Sequence, residues 1–124
     1  MKIVKGIVLI CAIAPSISMA AAKLFLGVTV FTMGSTTSDW GGCFSKVSLP
    51  EATLTGAGLT GCAGNFVSYG CVPGDSGISK SDAQRNFGNA QLGYVLEEPV
   101  NMIVSDATIF NGYCTATRVD NAPR

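Results

Sequence analysis

The order of elements along the chain predicts a small, mainly β domain with one helix. Three observations carry this: apolar alternation in several short segments, a single helical signature late in the chain, and cysteines placed downstream of an export signal. The chain has 124 residues, 48% hydrophobic and 13% charged, which is the length of one domain and excludes a second. No block of like charge marks a nucleic-acid or anionic-membrane surface.

Lys2 and Lys5 precede an apolar run from Ile7 to Ala14, then Pro15, Ser16 and the small-residue tract Ser18-Met19-Ala20-Ala21-Ala22. This is the layout of a secretory signal peptide over residues 1–22, with small residues at the required positions for cleavage after Ala20 or after Ala22. The run is too short to span a bilayer as a permanent helix. Cys11 follows Ile10, where a lipidation motif needs Gly or Ala, so no lipid anchor is expected. Export implies a secreted or periplasmic protein. Removing residues 1–22 takes two of eight basic and none of eight acidic residues, leaving 102 residues with a net charge of −2. Cys43, Cys62, Cys71 and Cys114 remain, an even number in an oxidising compartment, and read as two disulfides in one of three connectivities. There is no histidine and no CxxC, so neither a metal site nor a cofactor is expected.

The elements follow in order. Leu24 to Met33 is rich in β-branched and aromatic residues and reads as the longest strand, with Leu24, Leu26, Val28 and Val30 on one face and Phe25, Thr29 and Phe31 on the other. After a polar loop, Cys43 to Leu49 resumes alternation with Cys43, Val47 and Leu49 on one side, until Pro50. Thr53 to Gly61 is Gly-rich and reads either as an irregular strand or as a loop. Asn65 to Cys71 is a third strand with Val67 and Tyr69 on one side. Ser81 and Gln84 form a capping-box pattern, and Ala83, Phe87, Ala90 and Tyr94 then lie on one helical face. Pro99 ends the helix. Val100 to Ser105 and Tyr113 to Val119 are two further strands, joined by a turn at Asn111-Gly112 suited to positive φ. Residues 23–120 form the domain and 121–124 a tail.

Three strands, a helix and two strands is the arrangement of a five-stranded OB-like barrel with its helix between strands three and four. The stretches SKSDAQRNFGNAQLGYVLEEPVNMIVSD (79–106) and NGYCTATRVD (111–120) give the helix, Ala90-Gln91-Leu92, Pro99-Val100 and the alternating strands. Over residues 60–120 this pattern resembles small secreted bacterial OB-fold-like proteins and, more distantly, the subtilase-cytotoxin B-subunit family, OB-fold pentamers that bind glycans. The resemblance implies a disulfide from the cysteine before the helix to one in the last two strands, Cys71 to Cys114, leaving Cys43 to Cys62. It carries over no sugar-binding residue.

Catalytic groups are sparse. Gly74-Asp75-Ser76-Gly77 matches the tetrapeptide around a serine-protease nucleophile, but there is no histidine to act as its base and the chain is too short for that fold. It reads as a surface turn before the helix. Adjacent Glu97 and Glu98 point in different directions and do not form an acid–base pair at fixed separation. The chain is therefore expected not to be an enzyme. Trp40 lies in a polar segment with Thr37, Ser38 and Asp39, so its ring either stacks on a ligand, with those neighbours hydrogen-bonding, or closes one end of the barrel; Tyr69, Phe110 and Tyr113 are similar cases with weaker claims. The expected function is a non-catalytic binding module that recognises a glycan or a protein surface. An oligomer-forming subunit of a toxin-like ring is the alternative. Nucleic acid is not an expected partner.

Overall fold

One residue, Thr29, separates two strands that lie at opposite edges of the same sheet. The computed structural model describes residues 20–37, 39–72 and 77–122. Its elements are β1 (Ala22–Val28), β2 (Val30–Ser35), β3 (Cys43–Val47), α1 (Glu51–Gly56), β4 (Ala63–Ser68), α2 (Lys80–Leu96), β5 (Val100–Phe110) and β6 (Tyr113–Asn121). The strands form one sheet in the order β1-β5-β6-β4-β3-β2. Adjacent strands are antiparallel, except that β4 and β6 run parallel. Thus the described residues are mainly β with one long helix, but they form six strands rather than five and the sheet is not closed into a barrel. The expected first strand, Leu24 to Met33, pairs through its first half with β5 and through its second half with β3. Successive halves of one segment cannot pair with each other, so the two edges meet only through the covalent chain at Thr29. Most of the expected signal peptide, including Cys11, lies outside the described residues, as do Ser38, Gly74, Asp75, Ser76 and the last two residues of the expected tail.

Glycine decides which face of β1 turns inward. Between the pairs Phe25–Met102 and Val28–Val100, β1 carries two residues, Leu26 and Gly27, opposite Asn101 alone. Gly27 takes a φ of 67° and donates its N–H to Asn101 Oδ1 at 3.1 Å. This bulge reverses the strand's phase. Val28 and Val30 are buried as expected, but Leu24 and Leu26 are 58% and 72% exposed, and Phe25 packs against the core instead. The other inward faces are buried as expected: Cys43, Val47 and Leu49, and Val67 and Tyr69, together with Val100, Met102 and Val104. The Asn111-Gly112 turn has φ values of 52° and 85°, both positive, and joins Phe110 directly to its partner Tyr113. Asn121, expected in the tail, is the last residue of β6.

The ambiguous Gly-rich stretch divides: Thr53 to Gly56 belong to helix α1, and residues 57–61 form turns, as the loop reading expects. Pro50 stands at the N-terminus of α1, a position where its missing N–H costs nothing, and the helix buries Leu54. Helix α2 is capped by Ser79, two residues before the expected Ser81; its hydroxyl accepts from the Asp82 N–H at 3.2 Å. The buried face is Ala83, Asn86, Ala90 and Gly93, with Phe87 partly buried against the core and Tyr94 44% exposed. Gly93 is needed because a Cβ there would meet Val100 Cγ1 at 2.5 Å. Asn86 does the work of a missing strand. Pairing between β4 and β6 extends only to Ser68 and Thr115, so the next stretch of β6 lacks a neighbour on that side. Asn86 Nδ2 donates to the Thr117 carbonyl at 2.9 Å, its Oδ1 accepts from the Val119 N–H at 3.1 Å, and Asn89 Nδ2 donates to the Val119 carbonyl at 2.8 Å.

Two disulfides are present, in a pairing other than the one the resemblance implied: Cys43–Cys71 and Cys62–Cys114, with Cα separations of 5.6 and 5.2 Å. Strand register explains the exchange. The antiparallel pair Phe44–Ser68 brings the start of β3 to the end of β4, beside Cys71, whereas the parallel pair Ala63–Tyr113 brings Cys62 to Cys114. At the centre of the core Tyr69 is fully buried, with its hydroxyl and Ser45 Oγ sharing a 2.5 Å hydrogen bond.

Peptide mapping of the oxidised protein without reduction is expected to recover the 43–71 and 62–114 linked pairs. Replacing Cys62 and Cys114 together by alanine lowers stability by about 4 kcal/mol in a chain-entropy treatment, measurable by denaturant unfolding. Asn86→Ala leaves two β6 backbone groups without partners and costs roughly 2–4 kcal/mol by the same measurement. Burial pushes the Tyr69 phenol well above its ordinary value, and the Ser45 hydrogen bond offsets only part of this. The unfolded chain therefore releases that proton above about pH 10 while the folded chain retains it. Stability is accordingly independent of Tyr69 ionisation below that pH and falls above it, and Tyr69→Phe flattens the alkaline slope of the unfolding midpoint.

Candidate functional site

Alternation along β3 and β4 sends small and aliphatic side chains inward and large rings outward. On β3, Cys43, Ser45 and Val47 are buried while Phe44 and Lys46 face out; on β4, Val67 is buried and Phe66 faces out. The register pairs Lys46 with Phe66. Parallel pairing brings Tyr113, the first residue of β6, beside the start of β4. These three rings come from separate strands, and the sheet places them together.

Trp40 joins them from the loop between β2 and β3. Its ring stacks on Tyr113 with centroids 4.5 Å apart and planes 14° apart, and lies 4.8 Å from Phe44 and 5.2 Å from Phe66; Phe66 and Tyr113 meet edge to face at 5.4 Å. All four rings are only partly buried, and together they form a continuous aromatic platform on the outer side of the sheet.

The turn that holds Trp40, over Asp39–Gly42, has an uncommon backbone. Trp40 has φ 59° and Gly41 φ 72°, consecutive left-handed residues of which the first is bulky. Neighbouring hydrogen bonds fix it. The Thr36 N–H donates to the Gly42 carbonyl at 2.9 Å, the Thr36 hydroxyl donates to the Asp39 carbonyl, and the Val72 N–H donates to the Gly41 carbonyl at 3.0 Å. A Cβ on Gly41 would overlap Ser68 Oγ and meet the Phe110 ring at 2.9 Å. Phe44 likewise needs a glycine opposite: Gly34 is its register partner, and the Phe44 ring fills the space a Gly34 side chain would take. One cysteine of each disulfide adjoins a ring of the platform along its strand. Cys43 precedes Phe44 and Cys114 follows Tyr113, each cysteine buried on the inner side while its neighbour faces outward.

Of the residues singled out from the sequence, Trp40 is central to this platform, while Thr37 and Asp39 are exposed beside it. Trp40 is held by three other rings rather than projecting freely from a loop. Phe44 and Phe66 were missed, although each occupies the outward phase of its own strand, which was the available signal. Tyr69 belongs to the core and stacks edge to face on Phe87. Among the described residues no group of three or more His, Cys, Asp or Glu side chains could hold a metal ion, and no helix is long and apolar enough to cross a membrane.

Because Trp40 is packed on three rings, Trp40→Ala is expected to lower stability by about 1–3 kcal/mol, less than a fully buried tryptophan would cost. Gly41→Ala, which adds a clash to a left-handed backbone, is expected to displace the ring and weaken the near-ultraviolet dichroism of Trp40. Comparisons with protein-family models, curated proteins and solved structures find no match to this chain.

Proposed function

We propose that this chain is a secreted or periplasmic, non-catalytic binding module that holds a glycan against the platform of Trp40, Phe44, Phe66 and Tyr113. The observation that carries the reading is the convergence of these four partly exposed rings, drawn from a turn and three strands, on one side of a disulfide-tied sheet. Aromatic faces pack on the apolar faces of sugar rings, while the exposed Thr37, Asp39 and Lys46 at the border offer hydrogen bonds to hydroxyl groups. A nucleic acid would need a basic groove, and the expected exported chain carries a net charge of −2.

The fold supports the same reading. Counting β1 and β2 as one interrupted strand, the pairing order becomes that of a partly open, OB-like barrel with α2 between its third and fourth strands. Folds of this type bind oligosaccharides on strands two and three and on the loops that adjoin them. Here those positions are β3, β4, the Trp40 turn and the Asn111-Gly112 turn. Two disulfides and the N-terminal export pattern favour an oxidising compartment.

A second reading, an oligomer-forming subunit, is favoured by the edge strand β1 and its exposed Leu24 and Leu26, since an apolar sheet edge is a template for pairing with another chain.

Trp40 is the chain's single tryptophan, so its emission reports directly on the platform. A glycan array probed with the oxidised protein is expected to yield binders that change this emission on titration. Trp40→Phe is expected to weaken them at least about tenfold, the loss of roughly 1.4 kcal/mol of contact. An array without binders, or a binder whose affinity and fluorescence ignore Trp40, would remove the glycan reading. Retention of a protein surface by the same platform would replace it. Light scattering separates the second reading: a ring gives several times the monomer mass.

A further inference from the structure

The export pattern permits cleavage at more than one bond, and the fold distinguishes them. Ala21 and Asp106 bind each other reciprocally: the Ala21 nitrogen lies 2.6 Å from Asp106 Oδ1, and the Asp106 N–H donates to the Ala21 carbonyl at 3.1 Å. Ala21 is partly buried and packs against the core, and Ala22 pairs with Ser105, while Ala20 is exposed. Among the described residues, the contacts of this sheet edge therefore begin at Ala21.

We infer that the exported protein begins at Ala21 and that its new α-ammonium group is held by the Asp106 carboxylate. The inference rests on the secretory reading above. In the processing step, water adds across the Ala20–Ala21 peptide bond, catalysed by a leader peptidase of the exporting cell. The Ala20 carbonyl leaves as a carboxylate and the Ala21 nitrogen becomes an ammonium group. Ser18 and Ala20 supply the two small residues such an enzyme reads. The nitrogen that donated as a neutral amide then donates as a cation, which makes the bond to Asp106 charge-assisted. Cleavage after Ala22 would instead delete both the Ala21–Asp106 exchange and the Ala22–Ser105 pair, and cleavage after Ala21 would place the bulky Met19 where the enzyme requires a small residue. The ion pair fastens the residue just ahead of edge strand β1, the place where a chain end otherwise frays.

N-terminal sequencing and intact mass of the exported protein test this first. A start at Ala21 is expected. A start at Ala22 or Lys23 overturns the inference and leaves export standing, whereas a cell-retained chain still beginning at Met1 overturns both. Thermal unfolding then tests the ion pair. Acetylating the α-amino group selectively near neutral pH, where lysines stay protonated, is expected to lower the midpoint by roughly 4 °C in the native chain and far less in Asp106→Asn. Equal shifts in the two proteins would show that the ammonium group does not engage Asp106.

Discussion

Everything in this fold depends on the single residue between β1 and β2. Val28 pairs into one edge of the sheet through Val100, and Val30 pairs into the other through Val47. A chain of one residue cannot bridge the width of a flat six-stranded sheet, so the sheet has to curl until its edges meet at Thr29. Curling encloses the inward side chains, among them Val28, Val30, Val47, Val67, Val100, Met102 and Val119, each nearly or completely hidden from solvent. It also sets what the outer side presents. The rings of Phe44, Phe66 and Tyr113 are excluded from a core already filled from the inner faces, and they gather where β3, β4 and β6 come together.

Strand alternation then links stability to surface. Cys43 and Cys114 are buried immediately next to Phe44 and Tyr113, so each covalent tie on the inside fixes the strand that carries a ring on the outside. The Trp40 turn is fastened on its far side through Gly41 to Val72, one residue beyond Cys71. A platform built in this way would lose little conformational entropy if it bound a ligand, because its rings are already packed on one another. Asn86 and Asn89 perform a related task on β6, giving hydrogen-bond partners to a strand whose neighbour has ended, and among the described residues no buried side-chain polar atom lacks a partner.

Much of this was legible in the sequence where the signal is local. The inward faces of Cys43, Val47, Leu49, Val67 and Tyr69, the long helix ahead of Pro99 and the Asn111-Gly112 turn follow from period, propensity and φ alone. What stayed hidden depends on pairing between distant segments. Gly27 looks like any glycine in a strand until β5 offers Asn101 alone opposite Leu26 and Gly27, and only then does the phase of β1 reverse. Cys43 finds Cys71 because of β3–β4 register, and Cys62 finds Cys114 because β4 and β6 run parallel; neither relation exists in the sequence of a single segment. The same applies to the site. Trp40 was identifiable from its polar surroundings, but its stacking partner Tyr113 is remote in sequence and is brought to it by the curled sheet.

The central claim is that a turn and three strands bring four rings onto one outer face. Through-space proton contacts in solution NMR of the oxidised protein test it most directly. The account predicts contacts from the Trp40 indole to the rings of Tyr113, Phe44 and Phe66, together with contacts between Phe66 and Tyr113. An indole with no contact to Tyr113 or Phe66, in a protein whose disulfides are intact, would contradict it.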